Sequence, residues 1–285
     1  MAIDARSLVA LPPRIIHHRF SRKDTILYAL GVGAGQNEGD LPFLYEEGLH
    51  ALPTMPVILA YPGFWQREPQ YGIDWKRVLH GEQSVIIHGP LPVEGEVRGE
   101  MTIEKIIDKG ADKGALLYSV RRIFDAGDNR PIASVTQVSF LRGDGGCGST
   151  AEAPPPPPRV PERDADAVLS FEVRPEQAFI YRLSGDLNPL HVDPAVAREA
   201  GLAGPILHGL CTYGFAGRAL LALLCPGRHE GITRMDCRFT APLFPGERVG
   251  VSVWRTAPGK AAFRLMSEDR GLVVLDNGYT EYEES

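Results

Sequence analysis

Asp186 and His191 stand five positions apart in Gly185-Asp186-Leu187-Asn188-Pro189-Leu190-His191, a stretch dense in groups able to move protons. Histidine titrates near neutrality, and a neighbouring carboxylate orients and polarises its ring, so the pair suits general acid–base catalysis. Gly185 and Pro189 impose turn geometry. The stretch should therefore leave any helical path and let Asp186, Asn188 and His191 converge on one point. Residue by residue, Asp186 and Asn188 are ordinary turn formers and His191 an ordinary surface histidine. As one string they make a candidate catalytic loop.

The neighbouring elements have to hold that loop in place. Asp193 and Pro194 signal a helix start, with a stop at Gly201. A longer apolar helix opens near Gly209, with Leu210, Tyr213, Gly214, Gly217, Leu221 and Leu224 at helical spacing, and ends at Pro226-Gly227. Gly214, Ala216, Gly217 and Ala219 make it slim, which suits close wrapping by a sheet. Strand-like runs follow at 232–240, 248–256, 261–267 and 272–282. Upstream, Asp24 is a candidate cap for a short helix through Tyr28 and Leu30, and residues 43–50 for another helix. Strand-like runs lie at 83–88, 97–107, 116–124 and 132–141. Helices followed by several antiparallel strands make an α+β pattern. No glycine-rich phosphate loop between strand and helix appears, so a nucleotide-binding reading has no support.

Residues 143–166 are rich in glycine and then proline, from Gly143 to the run Pro154 to Pro158, and read as an extended linker. They separate a first domain, 1–142, from a second, 167–285. A faint repeat relates the two: Pro90-Leu91-Pro92-Val93-Glu94-Gly95-Glu96-Val97 resembles Pro242-Leu243-Phe244-Pro245-Gly246-Glu247-Arg248-Val249. Each copy precedes a strand-rich run with a glycine–lysine turn, at Lys113-Gly114-Ala115 and Gly259-Lys260-Ala261. Duplication, giving a built-in dimer of domains, explains this better than chance.

Composition is that of a globular chain: 285 residues, 44% hydrophobic and 23% charged, with a formal net charge of -6. The acidic balance lacks the basic footprint of nucleic-acid binders. No apolar run is long enough for a spanning helix, and neither a secretory leader nor a peroxisomal or ER-retention tripeptide is visible; the default expectation is a cytoplasmic location away from membranes. The cysteines, Cys147, Cys211, Cys225 and Cys237, form no Cys-x-x-Cys pair, so neither a structural metal site nor a disulfide framework is expected.

The string Gly185 to His191 resembles the signature of the MaoC-like (R)-specific 2-enoyl-CoA hydratases, the hydratase 2 family. Gly204-Pro205-Ile206-Leu207-His208-Gly209-Leu210 is similar to the family's next block, and Arg238-Phe239-Thr240-Ala241-Pro242 to its strand before a Pro-Gly turn. In the first half, Ile26 to Ala34, Asp40 to Glu46, Leu52-Pro53-Thr54, Leu79-His80-Gly81-Glu82-Gln83 and Asp108-Lys109-Gly110 look like the two-domain type also found in peroxisomal multifunctional β-oxidation enzymes. The resemblance covers nearly the whole chain, the linker excepted. It implies a double hot-dog fold, each domain an antiparallel sheet wrapped around a central helix. The implied reaction is reversible hydration of trans-2-enoyl-CoA to (3R)-3-hydroxyacyl-CoA.

The resemblance makes Asp186 and His191 the water-activating dyad, assisted by Asn188. The Gly209 N–H would face the thioester oxygen, a role physics supports because a helix start presents unpaired N–H groups. His80, Gly81, Lys109 and Phe239, with Leu187, Pro189 and Leu190 of the loop, would contact the substrate. Coenzyme A is then part of the substrate, with no separate cofactor and no metal. The first half, lacking the signature, would be catalytically silent, its shortened helix leaving room for longer acyl chains. Pairing of two such chains is a further implication. The alternatives are an acyl-carrier-protein thioester, or a branched, dicarboxylic or aromatic enoyl group, at the same site. Beyond those stand a thioesterase, a non-catalytic acyl-CoA binding module and a structural scaffold; the intact string argues against all three.

Overall fold

The structure, a computed structural model, describes residues 3–284. In chain order the elements are α1 (Ala5–Val9), β1 (Arg14–Phe20), α2 (Arg22–Gly31), β2 (Val78–Ile87), β3 (Gly95–Asp108), β4 (Ala115–Asp125) and β5 (Pro131–Leu141). Then follow β6 (Ala167–Glu172), α3 (Gln177–Tyr181), α4 (Pro194–Glu199), α5 (Gly209–Leu224), β7 (Ile232–Phe239), β8 (Arg248–Ala257), β9 (Lys260–Ser267) and β10 (Leu272–Tyr282).

The strands form one ten-stranded sheet, in the order β1-β3-β4-β5-β2-β7-β10-β9-β8-β6. Read inward from either edge, the two halves follow the same order of equivalent strands. They join where β2 pairs antiparallel with β7, from Glu82 opposite Arg238 to Ile86 opposite Arg234. The repeated Pro-Gly segments lead into β3 and β8, which occupy equivalent places. This is the double hot-dog architecture. Among the described residues no helix is long and apolar enough to cross a membrane.

α5 is the central helix, buried without a break from Cys211 to Leu221, as a helix apolar on all sides must be. The sheet wraps it through β6, β7 and β8. Its glycines serve a different neighbour from the one their slimness suggested. A Cβ on Gly214 would collide with Val32, and one on Gly217 with Thr54, both from the first half. The small residues therefore dock the first half onto the helix.

A buried ion pair ties the same surfaces. The Arg218 Nη2 donates to Asp40 Oδ1 at 2.6 Å and its Nη1 to the Val32 carbonyl at 3.2 Å. The other Asp40 oxygen accepts the N–H groups of Gly35 and Gln36 at 2.9 and 3.1 Å.

The shortened central helix expected in the first half is not a regular α-helix. In the first half that position is filled by residues 51–60, all buried, whose only regular piece is the 3-10 turn Met55–Val57. Pro53 and Pro56 lack the N–H that a helix ladder needs, and Ala60 takes a left-handed φ of 49°. The helix expected at 43–50 is also absent. Instead a 3-10 turn, Glu38–Phe43, closes on Pro42, and Gly48 adopts a positive φ of 71°. Ser21, rather than Asp24, is the N-cap of α2, and Asp24 completes a capping box from the third helical position. The edge strands β1 and β6 were not read from the sequence.

The glycine- and proline-rich segment is docked. The Asp108 carboxylate accepts the N–H groups of Gly146 and Gly148 at 2.9 and 2.8 Å, and Val160 packs with Trp254 and Ala262.

Candidate active site

The loop after α3 is built by side chains that cap its own backbone. Gly185 takes a φ of 117°, a conformation that favours glycine. The Asp186 carboxylate accepts the Asn188 N–H at 3.2 Å, and the Asn188 side-chain oxygen accepts the Leu190 N–H at 3.1 Å. Pro189 then begins the 3-10 turn Pro189–His191, which turns the His191 ring inward. His191 is 8% exposed, whereas Leu187 is 61% exposed, so the loop buries its histidine, half-buries Asp186 and leaves Leu187 outside.

A carbonyl oxygen only accepts, so each of two contacts places a proton on one ring nitrogen and, in the neutral ring, sets its tautomer. His191 Nδ1 donates to the Ile206 carbonyl at 2.8 Å, leaving Nε2 with a free lone pair. His208 Nε2 donates to the Asp186 carbonyl at 3.1 Å. The two imidazoles stack with centres 3.7 Å apart. An Asp186 oxygen and one nitrogen of each ring lie within 4.8 Å of one another. Those three groups are potential metal donors. Stacked rings, however, point their in-plane lone pairs side by side, unlike the converging donors of a tetrahedral site.

Burial lowers the pKa of His191 from its ordinary value, against the opposing pull of the Asp186 charge and the bond to Ile206. The ring therefore favours its neutral form at pH 7. Tyr61, from the first half, also approaches: burial first, then the Asp186 charge, push its hydroxyl up.

Gly209 is the first residue of α5, and its N–H meets no backbone acceptor among the described residues. The Phe239 ring flanks it; a Cβ on Gly209 would lie 3.2 Å from that ring. The His80 ring also packs against Phe239, its centre 4.7 Å away and its plane tilted by 57°. A neutral Nε2 lone pair, a carboxylate and a free helix-start N–H thus share one region, with an aromatic wall beside the last.

Residues 157–276 match the MaoC like domain, and residues 18–143 the MFE-2 hydratase 2 N-terminal domain. This chain belongs to the two-domain MaoC-like hydratase 2 family. It is 42% identical to 3-hydroxyacyl-thioester dehydratase Y of Mycobacterium tuberculosis over 99% of both chains. It is 35% identical to the probable enoyl-CoA hydratase 2 of Dictyostelium discoideum, over 98% of this chain and 96% of the relative. The crystal structure of a MaoC-like dehydratase from Phytophthora capsici superposes with a TM-score of 0.89, at 34% identity over 98% of this chain and 99% of that one.

The remaining anticipated residues of this MaoC-like chain are placed unevenly. Gly81 is the extra residue of a β-bulge between His80 and Glu82, with no partner in the register of β5. Lys109 is exposed in the turn from β3 to β4. Pro189 is exposed and Leu190 half-buried. Two residues next to the loop were not anticipated as functional. His208 was visible only as part of the block before Gly209. Tyr61 carries no sequence signal, because only the fold brings it to Asp186.

The histidines make acid stability a test of this site. Burial first pushes His80 down to about 4 and His208 down to about 3. The unfolded chain binds those protons below the ordinary histidine value of about 6.5, while the folded chain refuses them. Stability is therefore fully present above that value and falls as the pH drops toward 4, by on the order of a few kcal/mol. Urea unfolding should show the loss already between about pH 6.5 and 5, above the range where carboxylates titrate. A midpoint constant across that interval would contradict two neutral buried histidines.

Proposed function

We propose that this chain is a hydro-lyase that adds water reversibly to trans-2-enoyl-CoA, giving (3R)-3-hydroxyacyl-CoA. The names of its relatives support hydratase or dehydratase chemistry on acyl thioesters. The observation that carries the reading is the joint placement of the Asp186 carboxylate, the His191 lone pair and the Gly209 N–H. A water held by the first two attacks C3 of the enoyl group. The electron pair moves to the thioester oxygen, where the Gly209 N–H and the helix start stabilise it. The proton given up by the water reaches the coupled Asp186–His191 pair, and one returns to C2. Coenzyme A enters as part of the substrate, and no step needs a metal.

The reading includes association of two such chains, supported by the apolar side chains of Phe179, Leu183 and Leu187, all more than half exposed. The test of the reaction is direct. With crotonyl-CoA the conjugated enoyl-thioester absorbance should disappear while no free thiol forms. Release of thiol would make the enzyme a thioesterase instead, and tight binding without turnover would leave a binding module.

A further inference from the structure

Two histidines join the catalytic loop to the start of α5, and they do so reciprocally. His191 belongs to the loop, and its Nδ1 donates to the carbonyl of Ile206, in the segment that leads into the helix. His208 belongs to that segment, and its Nε2 donates to the carbonyl of Asp186, in the loop. Each ring crosses to the other's backbone, and the two rings stack where they pass. His208 is the N-cap of α5 and immediately precedes Gly209. Its own carbonyl accepts the Thr212 N–H at 3.1 Å and the Thr212 hydroxyl at 3.3 Å, which fixes it to the first turn of the helix. A bond that holds the His208 ring to Asp186 therefore also holds the acid–base loop to the Gly209 N–H.

His208 takes up no proton in the reaction proposed above. It is 1% exposed, and Tyr181 packs against its ring with centres 5.0 Å apart. Burial, then the neighbouring His191, push the ring down to about 3, so it stays neutral at physiological pH. Its one proton is committed to Asp186, and the lone pair on Nδ1 is buried without a partner. Packing alone would be better served by a phenyl ring, which fills similar space without stranding an acceptor. What a phenyl ring lacks is the Nε2 proton. No backbone N–H among the described residues reaches the Asp186 carbonyl, so that proton makes the tie.

We propose that His208 is a positioning residue that sets the acid–base loop in register with the Gly209 N–H, through the bond from its ring to the Asp186 backbone. This rests on the hydratase reading for what the two parts act on. In that reaction water attacks C3 while the electron pair collects on the thioester oxygen. The Asp186–His191 pair and the Gly209 N–H must therefore meet one substrate at two atoms in the same step. A misplacement of about 1 Å between such groups costs on the order of 100-fold in rate. The loss falls on kcat, because the error is felt in the transition state more than in substrate binding.

Two substitutions separate the donor from the ring. His208→Phe keeps a ring beside His191 and removes the donor. His208→Gln gives up the ring and keeps an N–H at the reach of Nε2. With crotonyl-CoA, His208→Phe should lower kcat by on the order of tenfold or more while KM stays within about twofold, and His208→Gln should recover a large part of the loss. A kcat in His208→Phe within about twofold of the wild type overturns the proposal, as does a His208→Gln protein no better than His208→Phe. If His208→Phe does not fold, His208→Asn, whose amide stops short of Asp186, takes its place with the same expectations. Amide hydrogen exchange gives a readout independent of turnover. The N–H groups of Asn188, Leu190 and His191 are bonded within the loop. They should exchange faster by about tenfold or more once the donor is lost, and near the wild-type rate in His208→Gln. Unchanged exchange in His208→Phe overturns the proposal. If the wild type turns over neither crotonyl-CoA nor a longer trans-2-enoyl-CoA, the hydratase reading has failed, and the exchange comparison alone decides whether His208 holds the loop.

Discussion

Asp186→Asn should lower kcat/KM for crotonyl-CoA by on the order of 100-fold or more, the usual scale for a positioned acid–base group. The substitution keeps the shape of the side chain and an oxygen to accept the Asn188 N–H, so the loop retains its turn. What it removes is the negative charge beside His191, which in the proposed reaction helps hold the water and stabilises any proton the ring takes up. His191→Gln should cost a similar factor. Because both groups act on one water, the double variant should lose little more than either single one, the non-additivity of residues working as a unit. The activity of the wild type should also fall on acidification as the His191 lone pair is lost, with a midpoint below the ordinary histidine value because burial favours the neutral ring. Full activity in Asp186→Asn with a native melting temperature would contradict the role given to the dyad.

The largest expected effect on stability belongs to Asp40→Asn. Arg218 and Asp40 are 4% and 11% exposed at their side chains, and their contact crosses between the halves. Removing the carboxylate charge leaves a guanidinium buried among Val32, Phe171 and the helix, 4.8 Å from the Phe171 ring. Breaking one side of such a pair costs about 3–5 kcal/mol, a large part of the stability of an ordinary domain. Denaturant unfolding measures it. Asp40→Leu with Arg218→Met should recover much of the loss, because no uncompensated charge remains. An Asp40→Asn protein within about 1 kcal/mol of the wild type would mean that the pair is effectively solvated and adds little to the packing and the β2–β7 pairing that join the halves.

Most of the second half was legible in the sequence because its signals are local. Pro194 at a helix start, Gly201 after its end, the slim run from Gly209 and the stop at Pro226-Gly227 each act within a few residues, and the structure places α4 and α5 where they indicate. The strands of alternating polarity were legible for the same reason. The failures are non-local. β1 and β6 lie at the edges of the sheet and owe their conformation to pairing with β3 and β8. The interruption of the first half's central helix, by contrast, was legible locally, because Pro53 and Pro56 lack the donors that a helix between Ala51 and Ala60 would need. At the site, the string from Gly185 to His191 was visible as chemistry. The stacking of His208 on His191 and the burial of Arg121 under Pro56 and Val57 are long-range packing within one half, and the approach of Tyr61 to Asp186 depends on how the halves close on each other; none of these has a local signature.

The most direct test of the central claim is the configuration at C3 of the product formed from a trans-2-enoyl-CoA. The account predicts loss of the enoyl absorbance and a single 3R-hydroxyacyl-CoA product, formed by the wild type and not by Asp186→Asn at comparable enzyme concentration. A 3S product, or turnover that survives the substitution, would contradict it.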